Sequence, residues 1–434
     1  MKKIFKTLNF SLLVILSGIF FLTSCNKDLE QFAPIPTPTY PTGSGIAATL
    51  AANSNYSFYN ALITRADSGA AAGTGLRATL NDLTKTFTLF TTDNAGMKLF
   101  VNSQSGGLVP LTAPDATFLG FIGANVPVAS AAGIVQYHMV GQKFTASSFG
   151  SAFPNYPLTS QIILDPAQPF VRMPIFPVKG TTYSYVNTMP LTTPEIVAAN
   201  GVIHTTFSVV APLPAKPLVT LRTLINADAS LTYFKAAIAR ADSGQVGISG
   251  VGPFGLQFDS LMNYPVTNMT VLAPNNTAFQ TLIFGLVYSQ VLAATGSTSI
   301  ATTQANAAVA AGPAFLNTNN VSTALMRGVV AYHILASNNT GSYKPDIRAF
   351  SVNFSPTVNS FAKTLVNGSV AAHPGIMAQA TFTGPVVTGF KFTGMGTFPP
   401  GGAPFSGTAA NATSWDKMAL NGVLHVIDRV LLPQ

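Results

Sequence analysis

Residues 421–433 read Asn-Gly-Val-Leu-His-Val-Ile-Asp-Arg-Val-Leu-Leu-Pro, an Asn-Gly turn signal followed by a nearly unbroken apolar run. At a period of two, Val423, His425, Ile427 and Arg429 share one face, and Leu424, Val426, Asp428 and Val430 the other. Both faces are largely apolar, which predicts a strand covered on both sides, interior to a sheet or sandwich. A shorter echo lies upstream at Asn200-Gly201-Val202-Ile203-His204. Helical periods are paired in the same way. Phe58, Leu62 and Ala66 recur every four residues, as do Tyr233, Ala237 and Ala241, and both runs end in Arg-Ala-Asp-Ser-Gly, at 65–69 and 240–244. The closing glycine predicts a helix C-terminus in each. Elements that occur twice mark an internal duplication.

Four markers keep one order along the chain. Arg65 answers to Arg240, 175 positions on. Thr88, in the run 87–97, answers to Thr270 in 269–279, 182 positions on. Tyr137-His138 answers to Tyr332-His333 at an offset of 195, and His204 to His425 at 221. The rising offset makes the second copy longer. Its candidate inserts are 293–320, rich in Ala, Thr and Asn, and 394–408, rich in Gly and Pro; both read as surface loops. Pro212, Pro214 and Pro217 stiffen a short linker between domains over 45–213 and 214–434.

Composition changes the picture of where such a chain works. Only 8% of its 434 residues are charged while 47% are hydrophobic, against about a quarter charged in ordinary soluble domains. The polar surface must come from Ser, Thr, Asn and Gln, as in secreted β-rich proteins. Lys2, Lys3 and Lys6 precede an apolar run over 12–22 that has the length of a signal h-region. It ends in Leu22-Thr23-Ser24-Cys25, which resembles the lipobox of bacterial lipoproteins, and Cys25 is the only cysteine. The expectation is a signal peptide over 1–24, lipidation at Cys25, and anchorage by lipid rather than by a spanning helix. The following Asn-Lys-Asp-Leu-Glu resembles the export tag of surface lipoproteins of the Bacteroidetes, which implies display on the outer membrane. Pro34, Pro36, Pro38 and Pro41 make the rest of 25–44 an extended tether. Loss of 1–24 takes the formal charge from +8 to +5. The basic residues do not cluster with aromatics, so nucleic acid is not an expected partner.

The four markers together resemble the fasciclin domain, a module of secreted and membrane-anchored adhesion proteins. The second copy carries the resemblance through Ala273, Pro274, Asn275, Ala278, Phe279, Tyr332, His333 and the run 421–433. The first keeps Tyr137-His138 and Asn200 to His204, but Thr205-Thr206-Phe207-Ser208 replaces the Val-Ile-Asp of the closing strand. It also lacks the Ala-Pro and Phe of the opening strand; 111–118 looks like that strand too but lies too near His138. The resemblance implies an α/β (α+β) chain of two tandem domains, each a β-wedge or sandwich of about seven strands with packed helices. It also implies adhesion or contact with matrix, carbohydrate or other proteins, no enzymatic activity and no cofactor.

The candidate chemistry is sparse. His138, His204, His333 and His425, with Tyr137, Tyr332 and Asp428, sit in the repeated markers and read as core residues satisfied by hydrogen bonds. No His-x-x-x-His and no neighbouring acids point to a metal. His373, before Pro374, reads as a loop residue. There is no Gly-x-Ser-x-Gly elbow, His-Glu-x-x-His or P-loop, and the glycines at 247, 250, 252 and 255 read as a loop. Two binding hints remain. Lys344-Pro345-Asp346-Ile347 resembles a Pro-Asp-Ile stretch implicated in integrin contact in animal fasciclin proteins; the alternative is a plain turn. Trp415, Tyr183 and Tyr185 would stack on sugar rings if exposed, or else pack in the core. The leading expectation is a lipid-anchored surface protein that binds an extracellular protein or glycan in adhesion. The alternatives are an accessory glycan-binding lipoprotein of a nutrient-uptake system and a structural envelope protein. The oligomeric state is left open.

Overall fold

The computed structural model describes residues 39–433 apart from 151–154, 181, 193, 215–216, 245–256, 266, 318–320, 340–341, 358 and 398–402. The expected signal peptide, Cys25, the tether up to residue 38 and the glycines at 247, 250, 252 and 255 lie outside the described residues.

The first half opens with helices α1 (Ile46–Ala51), α2 (Ser57–Ala66) and α3 (Leu76–Asn81) and reaches strand β1 (Phe87–Thr92). Helices α4 (Asn94–Gln104), α5 (Asp115–Ala124) and α6 (Val128–His138) follow, and α6 runs directly into β2 (Met139–Val140). Next come β3 (Leu158–Ile163), β4 (Arg172–Ile175) and the small antiparallel sheet of β5 (Pro177–Lys179), β6 (Ser184–Val186) and β7 (Met189–Pro190). The hairpin of β8 (Ile196–Ala198) and β9 (Gly201–Thr206) completes the main sheet, ordered β4-β3-β2-β1-β9-β8. The segment 111–118, which mimics an opening strand in sequence, turns into α5 at Pro114 instead.

The second half repeats the opening with α7 (Leu221–Ala227), α8 (Thr232–Ala241), α9 (Phe258–Asn263) and β10 (Met269–Pro274). It continues through α10 (Asn276–Thr295), α11 (Thr298–Ala310), α12 (Thr323–Tyr332) and the two-stranded β11 (Ser337–Asn339) and β12 (Ser342–Lys344). Strands β13 (Ser360–Ala362), β14 (Ile376–Thr383), β15 (Val386–Thr393), β16 (Ala410–Ala419) and β17 (Gly422–Ile427) give the sheet order β10-β17-β16-β15-β14-β13. The class is α+β. Among the described residues each main sheet has six strands, and each half also holds a smaller sheet.

In both halves the sheet centres on one parallel pair. Phe87 to Thr92 pairs in register with Gly201 to Thr206, and Met269 to Pro274 with Gly422 to Ile427. All four strands are buried along their whole length, as the two apolar faces of 421–433 predict. The insert at 293–320 departs from expectation: it holds the end of α10 and all of α11 rather than a surface loop. Alanine-rich sequence favours helix. Gly296 supplies a left-handed C-cap (φ +65) to α10, and the Ser297 side chain accepts the Ile300 N–H at the start of α11. Ala301, Ala305 and Ala308 then fall on one buried face.

The halves meet in a shared core of Phe176, Val178 and Tyr185 from the first and Phe350, Val352 and Val423 from the second. Arg348 is sealed into this joint at 1% exposure. Its guanidinium lies 4.5 Å from the Phe176 ring and donates through Nη2 to the Leu420 carbonyl at 2.8 Å, while Nε and Nη1 have no partner among the described residues. Burial lowers its pKa to about 9, opposed by the Tyr137 hydroxyl nearby. Asn155 and Asn353 exchange amide hydrogen bonds across the joint at 2.7 and 2.8 Å, and Asn155 also donates to the Arg348 carbonyl at 2.6 Å.

Candidate functional site

The repeated residues are placed first by what they bond. The Asp of each Arg-Ala-Asp-Ser-Gly run caps the next helix: Asp67 accepts the N–H groups of Leu76 and Arg77, and Asp242 those of Phe258 and Asp259. The arginines donate through Nε to the carbonyls of Val126 and Val321. At the head of the helix after the first parallel strand, Asp93 and Asn275 are N-caps, bonded to Gly96 and Ala278. Their neighbours Asn94 and Asn276 accept from the backbone of Phe58 and Tyr233.

The Asn-Gly marker is a three-way tie. Asn200 accepts the Ile46 N–H at 2.9 Å and donates to the carbonyls of Leu80 and Asp82. Asn421 does the same with Leu221, Met262 and Tyr264. The glycine beside each allows the parallel strands to close. A Cβ on Gly201, which sits at φ +157, would lie 1.9 Å from the Phe87 oxygen, and one on Gly422 2.4 Å from the Met269 oxygen.

The histidines join a strand to a passing segment. Thr88 donates to Gln142 O and accepts from Phe144 N–H, both at 2.7 Å, while His204 Nε2 donates to the Phe144 carbonyl at 2.8 Å. In the second half Thr270 donates to Ile347 O and accepts from Ala349 N–H, and His425 Nε2 donates to the Ala349 carbonyl at 2.9 Å. The other pair receives the end of its half. His333 Nδ1 donates to Val329 O at 2.7 Å and Nε2 accepts the Leu431 N–H at 3.0 Å, which requires a neutral ring. His138 Nε2 lies 3.1 Å from both the nitrogen and the oxygen of Val210, with Nδ1 3.0 Å from the Tyr59 hydroxyl. Burial lowers the pKa of His138 and His333 to about 4, and also lowers those of His204 and His425.

The adjoining tyrosines are equally committed. Tyr137 donates to Pro174 O and accepts from Asn187, and burial pushes its pKa up to about 12. Tyr332 donates to Gly375 O at 2.7 Å and accepts from Met395 N–H. Asp428 accepts the backbone and side-chain N–H groups of Asn411, which pins β16 to the end of β17. His373 lies in a loop as expected, yet it is buried, donating to Pro433 O and accepting from Gly375 N–H. Among the described residues no group of three or more His, Cys, Asp or Glu side chains could hold a metal ion.

The two binding hints separate. Asp346 is exposed and accepts the Ser337 hydroxyl, Pro345 is half-buried, and Ile347 is core at 3% exposure. The stretch therefore offers a partner one carboxylate, with its isoleucine turned inward. Trp415 is half-buried against the core of the second sheet, and Tyr185 is buried with its hydroxyl donated to Pro385 O. Tyr183 alone of the three is exposed, at 39%.

A feature that sequence reading missed is a groove of about 1000 Å³ on the first half, between α6, β3 and residues 211–214. Its polar rim is Gln104, Asn125, Gln136 and Gln161, and its apolar wall includes Phe121 and Pro212. These residues are scattered over more than a hundred positions, so no motif could have flagged them. The prolines of 211–214 signal only a linker.

No family model and no curated protein matches the chain. Among solved structures, it is similar to a pair of FAS1 domains from the insect cell adhesion molecule fasciclin I, at 10% identity and a TM-score of 0.29. That similarity spans 88% of this chain and 98% of the other.

Proposed function

We propose that this is a lipid-anchored adhesion protein of the cell surface, built from two fasciclin-like domains over 45–213 and 214–434. It contacts a matrix component, a glycan or another surface protein. The observation that carries the reading is the run of second-half residues matching the fasciclin pattern: 273–279, Tyr332-His333 and 421–433. Cys25 is the lipid attachment point, and the tether holds the domains off the outer membrane.

A non-enzymatic role is supported by how the titratable groups are used. All five histidines bond backbone groups. Among the aromatics read as sugar-stacking candidates, Trp415 and Tyr185 are packed and Tyr183 is exposed, so Trp415 is not a stacking platform. The test is a deletion strain compared with one in which the full chain is restored. Loss of attachment to matrix-coated or cell-coated surfaces, with the restored protein digested by protease added to intact cells, is the expected result. Normal attachment with altered envelope integrity would leave the structural alternative in its place.

A further inference from the structure

We infer that the groove between α6, β3 and residues 211–214 is a binding site for a neutral oligosaccharide, one site per chain. The inference supplies a ligand class to the adhesion reading and rests on it.

Charge narrows the class first. None of the described residues lining the groove is charged. The guanidinium of Arg172 is outside this lining and donates through Nη1 to the Gln161 backbone oxygen at 3.1 Å and to its Oε1 at 3.0 Å. A uronate, sialate or phosphate placed here would be desolvated without a cation among the described lining residues, which is costly. Of the four carboxamides around the rim, Gln104, Asn125 and Gln136 each offer a donor and an acceptor, the pairing that sugar hydroxyls require because each hydroxyl is both, and Gln161, whose Oε1 accepts from Arg172, offers its amide donors. The side chains of Gln104, Asn125 and Gln136 make no bond to other described residues. Phe121 and Pro212 supply C–H and ring surface for the apolar face of a pyranose. The volume is at the upper end of the usual ligand range of about 300–1000 Å³.

A peptide fits less well. Strand β3 is flanked by β2 and β4, so it is not a free sheet edge for strand addition. A docked apolar helix would bury the rim carboxamides against hydrocarbon. The count of one site follows from topology. In the first half β2 and β3 continue the sheet beside α6, whereas the second half extends its sheet from β17 and, among the described residues, sets no such strand against α12.

The test is binding of the full chain to hexasaccharides of neutral glucan, mannan and xylan, with hexagalacturonate and a proline-rich peptide as controls. Gly133 lines the groove, and a Cβ there meets nothing within 4 Å. Gly133→Leu therefore fills the groove while raising helix propensity. The expected result is saturable binding of one neutral class at one site per chain, weakened at least about tenfold by Gly133→Leu and several-fold by Gln136→Ala, with no fall in the unfolding midpoint of either variant. No neutral ligand bound, preference for the acidic sugar or the peptide, or full binding in Gly133→Leu would each overturn it. Attachment assays keep the two readings apart. If a neutral sugar binds in the groove yet the deletion strain attaches normally, the groove stands and adhesion falls; if deletion abolishes attachment but no neutral sugar binds, adhesion stands and the groove falls.

Discussion

The two halves share a centre and diverge at the edges. Each is built on one parallel strand pair, β1 with β9 and β10 with β17, and each closes that pair with an antiparallel partner that precedes its second strand. From there the sheets grow in opposite directions. The first extends past β1 through β2, β3 and β4, while the second extends past β17 through β16, β15, β14 and β13. On the β10 side the second half has bridges at Ile334 and Leu335, where the first has strand β2. What repeats is the set of hydrogen bonds holding the central pair; what differs is everything that such bonds do not reach.

That comparison predicts matched damage at the centre. Asn200→Ala and Asn421→Ala each orphan one backbone N–H and one carbonyl, of Leu80 or Met262, while the Asp82 and Tyr264 carbonyls keep their bonds from Lys85 and Thr267. At about 1–3 kcal/mol for each of the two buried groups left unsatisfied, either substitution should cost roughly 2–5 kcal/mol. Urea unfolding of the two variants measures this. A cost confined to one variant would mean that the halves do not depend on the tie equally.

The next effect is acid. His138 and His333 have folded pKa values of about 4, below the ordinary 6.5. The neutral ring is the one the fold accepts, so their contribution is complete above pH 6.5. It falls as pH drops towards 4 and levels off below that. Each tenfold weakening of proton binding by the folded state is worth about 1.4 kcal/mol, so the loss is roughly 3 kcal/mol for each histidine. Unfolding midpoints at pH 7 and pH 4.5 should differ strongly in the parent and less in His138→Gln or His333→Gln. An unchanged pH dependence in either variant would remove that histidine from the account.

This division also sets what the sequence could tell. The helices ending at 66 and 241, the central strands and their order were legible, because caps, periodicity and Asn-Gly turns are local signals. The growth of the sheets was not. Strands β13 to β15 carry no marker that fixes their side, and β2 is two residues long. Helix α11 reads as a loop on composition, although Ala301, Ala305 and Ala308 have helical spacing. Thr88 and Thr270 look like ordinary strand threonines, because the segments they bond, at 144 and 349, lie far off in sequence. Arg348 carries no local signal of the joint it enters, because its neighbours there, Phe176 and Leu420, lie far off in sequence.

The joint gives the third prediction. Arg348 is buried with only one of its three nitrogens bonded among the described residues, so it bears desolvation without full repayment in hydrogen bonds. Arg348→Met, which keeps contact with Phe176, should therefore lie within about 1 kcal/mol of the parent, or above it. Arg348→Ala leaves a cavity between the halves and should cost about 3 kcal/mol or more. Equal losses in both would show that the charge itself holds the halves together.

The smallest expected effect separates the joint from the exposed end of the segment that builds it. Asp346 lies two residues before Arg348, yet it faces solvent and bonds the Ser337 hydroxyl. Asp346→Ala should leave the unfolding midpoint where it is, since exposed substitutions away from caps and cores shift stability little. Its value is as a probe of contact. Ile347 is packed inward and cannot be presented without opening the core of the second half, so a partner reading this stretch would depend on the carboxylate. If attachment drops in Asp346→Ala while stability holds, the turn is part of the binding surface. If attachment is unchanged, the stretch serves the fold: Ile347 packs in the core, its carbonyl receives Thr270, and Arg348 enters the joint behind it.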